Sequence, residues 1–268
     1  MLYPLLYSFF ISLTKFNFVY DTVPKWVGLQ NYLAAFADQT FLLALKNTFV
    51  FAGAFFVLVM TLSFAIALLL FYCNRHSWFF RTAIFVPIVI PISLVCILFN
   101  WMFSENFGII NYFIGDLLHL PGLIHPWLTD GKTAMGVVVL VSLWSCIGFE
   151  TILFLAGLQA IPSEILEAAV VDGATGWRKI VHIIMPNLKE TYIITGIWAI
   201  IQGLKVFVQP MVLTQGGPGN ATLVMYMDIY NHAFLHFDLG YAAATAFILS
   251  IIILCFSMLN FKLNSSNG

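Results

Sequence analysis

A chain of 268 residues that is 61% apolar and 9% charged, with a formal net charge of −1, lies far outside the composition of a water-soluble domain. Its mean hydropathy of +0.96 points to an all-α integral membrane protein. The near-neutral charge gives no reason to expect a nucleic-acid partner.

In chain order, the first apolar piece is MLYPLLYSFFISLT, which stops at Lys15 and is too short to span a bilayer unaided. It has neither a basic leader region nor a small-residue cleavage site, so it reads as the outer end of a partial first helix and not as a removable signal. Five later stretches are long enough to cross: 41–73, 79–103, 133–159, 191–213 and 240–261. Each exceeds the roughly 20 apolar residues that a helical span requires, because no unpaired backbone group is tolerated in lipid. A transmembrane barrel is excluded by the lack of period-2 alternation.

Positive charge orients the spans. The 74–81 loop holds Arg75 and Arg81 without an acid, and the 159–190 loop holds Arg178, Lys179 and Lys189; both are expected in the cytoplasm. The 104–132 loop sets Glu105, Asp116 and Asp130 against Lys132, and the 214–239 loop has Asp228 and Asp238 with no Lys or Arg; both are expected outside. Lys262 then places the carboxyl terminus inside. Cys73, Cys96, Cys146 and Cys255 fall in or at the ends of spans without paired spacing and read as small buried hydrophobes.

The most polar central stretch is EAAVVDGATGWRKIVHIIMP, residues 167–186. Ser163 is in position to cap a helix, Glu164 and Glu167 put acid where the dipole favours it, and Gly173 is a natural stop, which predicts a helix over 164–172. A second helix is predicted over 176–185, with Trp177, Ile180, Val181 and Ile184 on one stripe, Arg178 and His182 on another, and Pro186 near its end. The product is a small cytoplasmic hairpin in which Ala168 and Ala169 let another surface approach closely. An amphipathic connector lying on the membrane surface would account for the same periodicity.

Other motifs carry less. Asp130-Gly131-Lys132-Thr133 ends like a phosphate-binding loop, but Pro126 stands where that motif needs Gly, and the loop is on the outer side. Gly216-Gly217-Pro218-Gly219 reads as a tight turn. Asp228, His232 and His236 share one helical face at four-residue spacing, as metal ligands do, yet no metal site is expected from them. No HExxH pattern and no nucleophile with a base is recognisable, so an enzyme is not expected.

The 167–186 stretch resembles, position by position, the signature of the permease subunits of binding-protein-dependent ABC importers. Glu167, Ala168, Ala169, Gly173, Ile183 and Pro186 match it, and Met185 replaces Leu in a volume-conserving swap. Similar to the carbohydrate-uptake branch, of the maltose and glycerol-phosphate type, are residues 27–48, 154–162 (FLAGLQAIP), 172–174 (DGA), Val206 and Phe207, 214–218 (TQGGP) and 240–244 (GYAAA). The resemblance implies a type I ABC importer permease fold: one transmembrane domain over 1–268, with five complete transmembrane helices, a partial first helix and a coupling loop at 160–190. Permeases of this kind usually have six core helices; with the first mostly missing, the start is misassigned or the chain is truncated.

The resemblance further implies that Glu167, Ala168, Ala169, Asp172, Gly173, Ile183 and Pro186 form the coupling loop, seated in a groove of a separate ATPase whose dimer closes on ATP. No cofactor would be bound by this chain, since ATP and Mg belong to the partner. Implied partners are the ABC ATPase dimer, a second permease that is a different chain, an extracytoplasmic solute-binding protein and the lipid bilayer of a prokaryotic cytoplasmic membrane. Ionisable groups inside spans are functional candidates. Glu150 and Lys205, with Trp144, Gln202, Phe207 and Gln209, are therefore expected along a path for a sugar, oligosaccharide or polyol, since such solutes are held by polar groups and aromatic faces. Asn100 and Trp101 are further candidates for it. The alternative is an ATPase-independent carrier or channel, which has no use for the hairpin and commonly shows internal repeats that are not detectable here.

Overall fold

The computed structural model describes residues 2–73 and 77–265. Arg75, which entered the charge argument, lies outside them. The first apolar piece is helix α1 (Leu2–Ser12), followed by an antiparallel pair of two-residue strands, β1 (Thr14–Lys15) and β2 (Lys25–Trp26), with Thr14 opposite Trp26. After α2 (Gln30–Ala37), Asp38 caps α3 (Gln39–Tyr72) by accepting from the Thr40 N–H at 2.8 Å. At ~1.5 Å per residue this helix is about 50 Å long, enough to cross the hydrocarbon core and project beyond it.

The 79–103 stretch does not form the single straight span expected of it. It is split into α4 (Ser77–Val89) and α5 (Ile92–Met102), bent by 96°. Pro91 has no N–H to continue the ladder and disfavours helical backbone at Ile90, so the helix breaks there. Among the described residues four helical stretches are long and apolar enough to cross a membrane, and the number reaches five if the bent pair is one span.

A loop follows, built from α6 (Ile109–Tyr112), a π-turn (Phe113–Leu117) and a 3₁₀ turn (Pro121–Leu123). The chain returns through α7 (Ala134–Ala160). It then forms α8 (Ser163–Val171) and the run α9 (Gly176–Lys179), π-turn (Ile180–Ile184) and α10 (Met185–Asn187). The next crossing is α11 (Lys189–Leu204) with α12 (Val208–Leu213); α13 (Met225–Tyr230), a π-turn (Asn231–Leu235) and the final crossing α14 (Leu239–Ser265) complete the chain.

Helices in lipid gain little from apolar burial against each other, because lipid tails are equally apolar; close packing and polar contacts hold them together. Here α3 packs on α7 and α11, α4 on α7, α11 on α14 and α1 on α14. Two crossings depend on glycine. A Cβ on Gly148 of α7 would strike the Ile84 carbonyl oxygen of α4, and one on Gly203 of α11 would lie 3.0 Å from the Ala52 Cα of α3. Phe64, Phe154 and Tyr192 bring α3, α7 and α11 together, with ring centroids 5.0 to 5.6 Å apart. Near the start of α3, Asn47 donates to the carbonyls of Asn220 and Leu223 at 2.9 Å, and Thr48 accepts from the Met225 N–H. Of the four cysteines only Cys96 is fully buried; Cys255 is exposed and Cys73 and Cys146 are half-buried, so the reading of all four as buried hydrophobes is corrected.

Gly148→Leu drives a side chain into the α4 backbone and is expected to destabilise the protein by about 1–3 kcal/mol, lowering its melting temperature in detergent. Gly53→Ala, at a position with nothing within 4 Å of a built Cβ, is expected to leave melting unchanged. Equal melting of the two variants would contradict this packing.

Candidate functional site

The polar stretch is a helical hairpin, and Gly173 ends its first arm as expected. The Ala174 N–H reaches the Ala169 carbonyl at 2.8 Å and the Gly173 N–H reaches Val170 at 3.0 Å. These are the two bonds of a Schellman stop, and Gly173 holds the left-handed conformation it needs, with φ +79°. Two details differ from expectation. Ser163 is the first helical residue and makes no capping bond, because Pro162 occupies the cap position. The second arm does not keep one α-helical stripe: Trp177 is 74% exposed while Ile184 is fully buried, since the π-turn over 180–184 puts an extra residue in the turn and rotates the face.

Glu167, Ala168, Asp172, Gly173 and Pro186 are exposed on this hairpin, Ile183 is half-buried and Ala169 is buried. Val170, Val171 and Trp177 also face outward, with Val171 88% exposed. The base, in contrast, is fixed in the bundle. Leu188 is buried, and a Cβ on Gly157 of α7 would meet the Thr191 hydroxyl at the start of α11. The His182 imidazole Nδ1 lies 3.1 Å from the Arg178 carbonyl, and both side chains are exposed on one side of the second arm.

A second feature is a partly open cavity bordered by several helices. The α4–α5 bend at Ile90–Pro91 and the break between α11 and α12 both open on one cavity of 490 Å³. Non-helical backbone at membrane depth is tolerated where it lines such a space. Gln202, Lys205, Phe207 and Gln209 all border it, with Ser145, Cys146 and Trp198. Sequence reasoning missed the last three; Trp198 stands one turn before Gln202 on α11, a spacing that would have found it. The Phe207 ring packs on Tyr226 at 5.4 Å and on Tyr230 at 5.3 Å. Lys205 also borders a neighbouring cavity of 340 Å³ lined by those two tyrosines, Phe234 and Ser250.

Other candidates lie elsewhere. Trp144 packs on Phe99 at 5.4 Å and does not border the 490 Å³ cavity. Glu150, one turn further along α7 than Cys146, is completely buried, and neither carboxylate oxygen has a partner among the described residues. Asn100 donates to the Leu213 carbonyl at 2.8 Å and borders a separate cavity of 410 Å³ beside Thr214, Gln215 and Gly217; Trp101 is exposed on the outside of the bundle. Gly216 to Gly219 form a turn in which Thr222 is bound by the Gly216 and Gly217 carbonyls.

The remaining polar motifs are structural. Asp130 accepts from the Lys132 N–H and pairs with His125 at 2.9 Å; the Lys132 N–H above all holds its carboxyl below the usual range. Asp228 and His232 approach to 3.8 Å, and His232 packs on Tyr241 at 4.4 Å. Burial pushes the Asp228 carboxyl up, with His232 opposing. No group of three or more metal-ligating side chains comes together among the described residues.

The family described as "Binding-protein-dependent transport system inner membrane component" matches residues 74–266. The chain is 32% identical over 261 residues to the probable ABC transporter permease protein YurN of Bacillus subtilis, covering 97% of this chain and 89% of that one. It is 32% identical over 270 residues to the arabinooligosaccharides transport system permease protein AraP of the same organism, covering 99% and 83%. It is also similar to the sn-glycerol-3-phosphate transport system permease protein UgpA of Agrobacterium fabrum, 32% identical over 246 residues, covering 89% and 80%. Its fold matches a chain of a bacterial ABC transporter involved in the import of the acidic polysaccharide alginate, with a TM-score of 0.86 at 21% identity, over 99% of this chain and 90% of that one. A helical hairpin carrying the Glu-Ala-Ala signature, set beneath a bundle with this fold, belongs with these relatives: the chain is a member of the binding-protein-dependent ABC transporter permease family.

Proposed function

We propose that this chain is the permease subunit of an ATP-driven importer for a sugar, oligosaccharide or related polyol, and that its hairpin is the seat of a separate ATPase. One observation carries the reading: the hairpin presents Glu167, Ala168, Val170 and Val171 outward while its base is wedged between α7 and α11. Exposed apolar side chains beside an acidic group, on a rigid support, are what a partner's groove would bind. The same two helices carry Ser145, Cys146, Trp198 and Gln202 to the cavity. A displacement imposed at the hairpin would therefore reach the cavity walls through packed helices, and ATP-driven closure would bias the bundle between two states.

In this reading the single transmembrane domain over 1–268 is multi-pass in the cytoplasmic membrane of a prokaryote, with hairpin and carboxyl terminus in the cytoplasm. ATP and Mg are bound by the ATPase dimer, a solute-binding protein delivers the substrate, and a second, different permease chain completes the path. Gln202, Gln209 and Lys205 would supply polar contacts and Phe207 an aromatic face to the solute. Trp144 and Glu150 do not border this cavity. The hydroxyl-rich solute class rests on those polar and aromatic groups and on the relatives' own substrates.

Reversing a charge at a docked interface costs about 2–5 kcal/mol, so Glu167→Lys is expected to reduce copurified ATPase by more than about tenfold. Gly173→Asp, which strains the helix stop, is expected to abolish ATP-driven uptake while the chain still reaches the membrane. Undiminished ATPase recovery and uptake in both variants would remove the coupling role. Separately, Gln202→Cys and Lys205→Cys are expected to react with a hydrophilic thiol reagent and to be protected by transported solute, whereas Leu204→Cys, at a buried position, is expected to stay unreactive. Equal reactivity at the three positions would argue against a path along this face of α11.

A further inference from the structure

The loop joining α5 to α7 exposes an unusual number of large apolar side chains alongside Glu105, Asn106, Asp116 and His119. Its buried polar residue is Asn111, whose side-chain amide donates to the carbonyls of Glu105 at 3.1 Å and His125 at 3.0 Å. The Asn111 Oδ1 accepts from the Trp127 indole N–H at 2.8 Å, so this side chain is satisfied within the loop. Large apolar residues are exposed: Phe107 by 84%, Tyr112 by 65%, Leu117 by 62% and Leu123 by 61%. Water penalises such an arrangement; an apolar medium favours it.

We infer that residues 105–124 lie in the bilayer interface, with this apolar face in the leaflet opposite the coupling hairpin. Both ends of the loop are fixed at the bilayer by α5 and α7, so the segment is held at the membrane surface. In the chain, the exposed apolar residues follow α5, whose Leu98 and Trp101 are also exposed. Between Glu105 and Ile124 there is no Lys or Arg. Attraction to anionic headgroups therefore contributes nothing, and apolar contact alone holds the segment. Asp116 and His119, exposed in the same stretch, keep it at headgroup depth and out of the hydrocarbon core.

The test uses the full chain, assembled with its ATPase and companion permease, in phosphatidylethanolamine and phosphatidylglycerol nanodiscs. Nitroxide is attached at Leu117→Cys or Leu123→Cys after the four native cysteines are replaced. Collision with oxygen, which concentrates in lipid, is compared with collision with an aqueous nickel chelate. Both sites are expected to resemble Leu98→Cys on α5 and to differ from Lys132→Cys, and to be insensitive to salt. Nickel accessibility like that at Lys132 would overturn the inference by placing the loop in water. Shielding from both agents would overturn it in favour of a protein partner; shielding that appears only on adding the solute-binding protein would name that partner. A benzophenone side chain at position 107, in a chain that keeps its cysteines, gives a second readout. Its photoproduct is expected to gain the mass of one phospholipid, and a crosslink to another protein would count against the proposal.

Discussion

Inside a bilayer core no water is present to bond a free N–H or C=O, and this constraint governs the molecule. It makes helices of every apolar stretch and leaves breaks permissible only beside polar or hollow space. Both breaks at membrane depth, at Ile90–Pro91 and between Leu204 and Val208, border the same cavity. The irregular backbone that lipid would reject is thus gathered in one place. There it brings Gln202, Lys205 and Gln209 to one cavity wall.

The second consequence concerns how the bundle holds together. Because apolar burial does not separate helix from lipid, association rests on close approach at Gly148 and Gly203 and on the Phe64–Phe154–Tyr192 cluster. That cluster sits on the three helices α3, α7 and α11, two of which support the hairpin. Under the proposed coupling, the hairpin is a lever with a stiff base: the Schellman stop at Gly173 fixes its first arm, and Leu188 anchors its second. The lever and the cavity share α7 and α11, so movement of one without the other would break packing that is close to backbone contact.

Much of this was legible from sequence because it depends on local chemistry. Gly173 announces a helix stop wherever it falls after a run such as SEILEAAVV. Pro91 was equally visible, but inside an apolar run of span length it did not by itself reveal a 96° bend; whether a proline kinks or breaks a helix depends on what packs against it. The π-turn at Ile180–Ile184 was invisible for a similar reason, since no residue type requires it. Trp144 was expected on the solute path as an aromatic face, and its contact with Phe99 shows that its position on α7 turns it toward α5.

The sequence by itself determined the medium, the helical class, the approximate crossings, the hairpin and the family, because each follows from composition or from spacing along a few turns. Only the tertiary structure decided which polar residues meet. Gln202, Lys205 and Gln209 join Ser145 from α7, whereas Glu150 from that same helix is sealed away, and Asn111 turns inward while its apolar neighbours turn out. The physical reason is that facing is set by contacts between segments distant in sequence: a helix carries the same residues at any rotation, and only packing against its neighbours fixes that rotation.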